Sequence, residues 1–309
     1  MERGRRLTLT EAGAAGLFFM QRYRLLTIDQ FARAAGLHHA NATRQLRVYE
    51  QHGLLRHFGN TRLAGHGKTP KVYVLTRKGF ELLREESEIP QELLGSFKEM
   101  KVEAAWSPHM FHRLRTVDAL ISVECAIRKR PHLTMVKLFL EYCKRKRGDI
   151  LVGETTDYVA AEETAENKII PDAAFILENI ESKRRALFFL EMDMATERII
   201  SSLGRGDKFS LHYKFAQYDR YLKSLRYSQT YKAYGEFRSF TMLFITMYET
   251  RIEHIRRELH NLPEELGDYY CFTTFEAAMG DFLSSIWLSR VLSDTMRYPL
   301  VREEPSRTG

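Results

Sequence analysis

The chain has 309 residues, 44% hydrophobic and 28% charged, with a formal net charge of +7. That is enough apolar side chain to build two cores, and too much for an unfolded polyelectrolyte. Three cysteines without a CxxC pair argue against a zinc ribbon or a disulfide framework, and the longest apolar runs fall far short of the ~18 residues of a membrane span. The start, MERGRRLTLTEAG, lacks the apolar stretch of a secretory signal, so a reducing cytoplasm is the expected compartment, with no membrane partner.

Thr10 is placed to cap a first helix carrying Ala14, Leu17, Phe18 and Tyr23. Thr27-Ile-Asp-Gln opens a second, with Ile28, Phe31 and Ala32 at helical spacing and Gly36 at its close. Residues 38–52 read as a third helix, with Ala42, Leu46 and Tyr49 inward and Gly53 as its stop. An extended segment from Leu54 breaks at Gly59-Asn60. The glycine-rich, basic stretch TRLAGHGK follows, then a strand at Lys71–Leu75 and a Thr76-capped helix through Leu83.

Three helices, strand, loop, strand, helix is the order of a winged helix-turn-helix, and "HGLLRHFG…KVYVLTRKGFELL" resembles the wing and following helix of many bacterial regulators. On that reading 38–52 enters a major groove. Asn41, Thr43, Arg44, Gln45 and Arg47 then face base edges, and Arg62, His66 and Lys68 reach the backbone or minor groove. Charge agrees: residues 1–90 hold 15 Lys/Arg against 8 Asp/Glu, and the rest of the chain is balanced at 32 against 32. A basic module on a neutral body suits a polyanion such as double-stranded DNA.

Pro90, Gly95 and Pro108 mark a linker at 91–108, which gives domains at 1–90 and 109–309. The second domain opens on an amphipathic helix over 109–130, then a strand over 133–141; the polar stretch 144–168 reads as a long loop. The runs Ile169–Leu177 and Ala186–Asp193 flank a charged turn and predict a β-hairpin. If Leu177 faces Ala186, Asp172 lies opposite Glu191, and Asp193 shares the face of Glu191. Carboxylates so placed repel and need either a divalent cation or Lys and Arg beside them. A helix over 205–225, a strand over 239–248, a helix over 249–260 and a strand over 269–276 complete the second domain.

From 109 onward the order α-β-β-β-α-β is similar to the PD-(D/E)xK nuclease core, which makes the expected fold class α+β: a winged helix followed by an α/β nuclease-like domain. Pro171-Asp172 with Glu191-Met-Asp193 resembles that motif, except that Asp193 stands where lysine is expected. Lys214 or Lys208 on the following helix can replace it. The segments His112, "PDAAF", "FFLEMDMATE", "KFAQYDRYL" and "FTTFE" resemble the replication-relaxation family of plasmid and mobile-element proteins, which is similar to MobC-class relaxases.

This resemblance implies DNA binding in replication, relaxation or mobilisation. It also implies a site of Asp172, Glu191, Asp193 and Glu197 holding Mg²⁺ or Mn²⁺ for nicking, with Lys214, Tyr218 and Tyr221 on the helix behind. The competing expectation is a non-catalytic origin-binding or transcriptional regulator. Tyr213, Tyr218 and Tyr221 are also weighed as relaxase nucleophiles. His112 and Glu124 are weighed as further members of the site, each against an ordinary structural role. A homodimer and assembly with other replication or mobilisation proteins stay open. No GxxxxGK[ST] loop occurs, so ATP use is not indicated.

Overall fold

The computed structural model describes residues 8–59, 62–63, 67–100, 108–195, 198–199, 210–259 and 269–301. His66, Glu197 and Lys208 lie outside the described residues. The chain folds as two compact units, Met1–Ile121 and Ser122–Gly309.

The first unit contains α1 (Glu11–Tyr23), β1 (Leu26–Thr27), α2 (Ile28–Ala35), α3 (His39–Gln51), β2 (Leu55–Gly59), β3 (Arg62–Leu63), β4 (Gly67–Lys68), β5 (Lys71–Leu75), α4 (Arg77–Glu86) and α5 (Gln91–Leu94). The expected caps form. Thr10 accepts from the Gly13 N–H, Thr76 accepts from the Gly79 N–H, and Thr27 with Gln30 makes a reciprocal capping box. β1, β5 and β2 form an antiparallel sheet in the order β1-β5-β2, and β3 pairs with β4 as a separate short ribbon.

Leu17, Phe31, Ala42, Leu46, Val72 and Val74 are fully buried, so the apolar stripes read from the sequence are core. The stretch 91–97 does not run as a bare linker. Leu94 is buried, and the Gln21 amide on α1 donates to the Leu94 and Ser96 carbonyls at 3.0 and 3.1 Å. The division between the units falls inside α6 (Pro108–Arg128).

The second unit follows with β6 (Leu133–Leu140), β7 (Lys144–Arg147), β8 (Ile150–Gly153), β9 (Asp157–Tyr158), β10 (Lys168–Ile169), β11 (Ala173–Asn179), β12 (Arg185–Asp193), α7 (Leu211–Ser224), α8 (Arg226–Thr230), β13 (Thr241–Thr246), α9 (Glu249–Leu259), β14 (Tyr270–Thr274), α10 (Phe275–Ala278), β15 (Trp287–Ser289) and β16 (Arg297–Tyr298). A mixed seven-stranded sheet runs β16-β15-β14-β13-β12-β11-β6. Its centre is parallel, β12 to β13 to β14, and both flanks are antiparallel.

The chain is therefore α+β. Its central strands are apolar on both faces, as strands covered on two sides must be. On one face Ala174, Ile176, Leu187 and Phe189 join Phe215, Tyr218 and Tyr221 of α7 and Ile252 and Ile255 of α9 in a single core. On the other, Phe175 stacks on Phe188 at 5.1 Å. The stretch 144–168, expected as a loop, instead folds into two short antiparallel pairs, β7 with β8 and β9 with β10. Among the described residues no helix is long and apolar enough to cross a membrane.

Candidate functional site

Two places gather the residues singled out by the sequence. The first is the outer face of α3. Asn41, Thr43, Arg44 and Arg47 are exposed, while Ala42, Leu46 and Tyr49 on the opposite side are buried. The 3.6-residue period makes this split. The Thr43 hydroxyl donates back to the His39 carbonyl at 2.9 Å. Gln45 departs from expectation, because its amide turns to the Tyr49 hydroxyl at 2.9 Å and the Thr10 hydroxyl at 3.4 Å. Gln45 thus ties α3 to α1 rather than joining the outward row. Burial pushes the Tyr49 phenol up to about 12, so it stays protonated beside Gln45. Arg62 and Lys68 are register partners on the β3–β4 ribbon, with Lys68 exposed.

The second place is the end of the large sheet where β11 begins and β12 finishes. Leu177 pairs with Ala186 and Ala173 with Leu190, the register expected from the turn. Asp172 precedes Ala173 and accepts the Met192 N–H at 2.8 Å, so it sits at the mouth of the hairpin. Strand alternation puts Asp172 on the face of Ala174 and Ile176, and Glu191 and Asp193 on the face of Leu187 and Phe189. Both sets belong to the core under α7 and α9.

The compensation for this negative charge comes from the protein. Glu191, 3% exposed, accepts from Lys214 Nζ at 3.2 Å and from the Tyr218 hydroxyl at 2.5 Å. Asp193, 5% exposed, is held by Arg251 Nε at 2.8 Å and Nη2 at 3.2 Å, by the Thr246 hydroxyl at 3.1 Å and by the Ala195 N–H. A paired guanidinium makes two directed, charge-assisted bonds, which fixes Asp193 in place.

Glu191 and Asp193 therefore have separate protein partners. Asp193 faces Arg251 on α9 while Glu191 faces α7, and among the described residues no group of three or more His, Cys, Asp and Glu side chains is placed to hold a metal ion. Glu191 and Asp193 each already accept from a cationic side chain, Lys214 and Arg251, while Asp172 accepts from a backbone N–H.

The tyrosines on α7 are likewise committed. Burial, then the neighbouring Glu191 carboxylate, pushes the Tyr218 phenol well above its usual range. Tyr221 is buried against Asp157, to which it donates, and its phenol is pushed up by burial and then by that charge. Tyr213 donates to the Glu166 carbonyl at 3.2 Å. Each hydroxyl is a donor in the native network. Asp157 also takes the Thr230 hydroxyl at 2.6 Å and Arg147 Nη1 at 3.2 Å.

The sequence profile of the replication-relaxation family matches residues 17–236. The chain belongs to the replication-relaxation family. Membership links it to replication or relaxation of plasmid or mobile-element DNA. No curated protein and no solved structure matches it. The matched stretch includes the whole of α3 and the Asp172, Glu191 and Lys214 cluster, and ends before Arg251.

Arg251 is the residue of this replication-relaxation protein that sequence reasoning missed. It is 58 residues from Asp193, and nothing local marks it. The one available cue was its place on the helix that follows β13, the strand parallel to β12.

Proposed function

We propose that this replication-relaxation protein binds duplex DNA through a winged helix-turn-helix formed by α1 to α4, with α3 as the recognition helix. On this reading its second unit is a PD-(D/E)xK-like core used for docking or assembly rather than cleavage. The observation that carries the proposal is the outer face of α3, where Asn41, Arg44 and Arg47 stand exposed and, among the described residues, are not engaged by neighbouring side chains. Arg and Asn are the side chains best able to make paired contacts with guanine and adenine edges. The excess positive charge of the chain lies in the first 90 residues, where it favours phosphate contact. Lys68 and Arg62 supply the wing.

A metal-dependent nicking activity is the second reading. It is favoured by one observation: Lys214 reaches Glu191 from α7, where the sequence motif lacks its lysine at position 193. Against it, Asp193 is locked by Arg251.

Supercoiled plasmid incubated with the full chain and Mn²⁺ separates the two. Retarded plasmid that stays supercoiled, with retardation lost on Arg44→Ala plus Arg47→Ala, is the expected result. Mn²⁺-dependent open circles that disappear with Asp172→Ala establish nicking instead. No retardation at any protein concentration overturns the DNA-binding proposal.

A further inference from the structure

The β7–β8 ribbon carries cations that neither α3 nor the sheet-end carboxylates employ. Lys144-Arg-Lys-Arg147 pairs with Ile150–Gly153 around a two-residue loop, Gly148-Asp149, with Gly148 at φ +58. The pairing sorts its side chains. Lys144, Lys146 and Leu151 share one face; Arg145, Arg147, Ile150 and Val152 share the other.

The second face is anchored. Arg145 donates to the Thr156 carbonyl at 2.8 Å. Arg147 pairs with Asp157 and Glu163 and lies over the Tyr158 ring at 4.9 Å. At the base, a Cβ on Gly153 would meet the Glu141 carbonyl at 2.7 Å, so the ribbon starts tight against the end of β6. The Glu141 N–H donates to the Asp172 carbonyl at 3.3 Å, which roots the ribbon at the carboxylate end of the sheet.

The first face and the tip are left to solvent. Lys144 and Lys146 are exposed, and among the described residues no carboxylate pairs with either. Leu151 is 67% exposed and Ile150 57%, among the most exposed large apolar side chains of the described residues. A rigidly held two-stranded ribbon whose solvent face carries Lys144, Lys146 and the exposed Leu151 combines two ingredients of minor-groove binding: cations for the phosphates and a wedge for a base step.

We propose that the β7–β8 ribbon is a second duplex-DNA contact, with Lys144 and Lys146 on the phosphate backbone and Leu151, on the same face, as a wedge that kinks the minor groove. The ribbon role rests on the chain being a DNA-binding protein. DNA is the committed partner because the solvent face carries two cations beside an exposed leucine, in a chain of the replication-relaxation family. A docking site for an acidic protein is the outcome that the test must exclude.

The experiment uses the full chain and an end-labelled mixed-sequence duplex. Fluorescence anisotropy gives affinity across about 50–200 mM salt, and energy transfer between the ends reports the bend. Lys144→Gln plus Lys146→Gln lowers the slope of log affinity against log salt by about 2. Leu151→Ser leaves that slope in place and removes a bend of about 20° or more. Both variants are surface changes, and unchanged thermal melting verifies the fold.

If Arg44→Ala plus Arg47→Ala abolishes binding while both ribbon variants keep the wild-type slope and bend, the ribbon proposal fails alone. A ribbon that serves a protein partner gives this same result. If the unaltered chain binds no duplex, the recognition-helix reading and the ribbon proposal fall together.

Discussion

Helix α3 and the open end of the large sheet both carry dense polar rows, and they use them in opposite ways. On α3 the guanidinium and amide groups of Arg44, Arg47 and Asn41 face solvent. At the sheet end Glu191 and Asp193 are turned inward and neutralised by Lys214 and Arg251, with the Tyr218 hydroxyl also donating to Glu191. Exposed charges on a helix contribute little to folding and are available to a partner. Buried charges in pairs are held by the fold, and removing one member leaves the other stranded in a poor solvent. On the proposed reading the first region serves recognition, and the second serves cohesion.

The largest effect should come from breaking cohesion. Arg251→Ala leaves Asp193, with its side chain 1% exposed, without its counter-ion. Chemical denaturation should register a loss of about 3–5 kcal/mol. Asp193→Asn placed on top of it should recover part of that loss. A change below about 1 kcal/mol for the single variant would mean that water reaches the site and that Asp193 is available for other chemistry.

The mirror experiment is Arg44→Ala plus Arg47→Ala. Melting should stay where it is, while affinity for a cognate duplex falls by about 1–3 kcal/mol for each base-reading contact. Equal losses of stability and affinity would erase the contrast.

The fold that presents α3 can be loosened separately. Thr27→Ala removes the capping box of α2 and should cost about 1 kcal/mol in denaturation. DNA affinity under native conditions should persist, because the surface of α3 is unchanged.

The smallest effect concerns pH. Burial raises the Asp219 carboxyl above its usual range, against the Tyr270 hydrogen bond that lowers it. A carboxyl whose folded value is raised stabilises the fold fully below its unfolded value, and that contribution is lost as pH rises through the folded value. Asp219→Asn keeps an acceptor for Tyr270 and removes the titration. The variant should gain in melting temperature relative to the native chain between pH 4 and pH 7. A gain that shrinks over that interval would contradict the assigned shift.

Much of this was legible in the sequence. The caps Thr10, Thr27 and Thr76 form as expected because a short side-chain oxygen before an apolar period satisfies backbone N–H groups at a helix start. The hairpin register followed from the two apolar runs and the charged turn between them, since a one-residue slip would reverse every side chain. The stretch 144–168 was not legible. Its strands have only two to four residues, and KRKR reads as a solvated charge run until the arginines find Thr156, Asp157 and Glu163.

Local pattern determined the longer helices, the central strands, the placement of excess charge and the pairing of Asp172 with the end of β12. Each of these depends on neighbours in the chain, through periodicity, capping or turn closure. Tertiary structure alone decided which cations neutralise the carboxylates, that Gln45 faces Tyr49, and that Tyr218 donates to Glu191. Those outcomes depend on packing between segments tens of residues apart. There a buried charge must find its partner in three dimensions, and no spacing in the sequence records which one it finds.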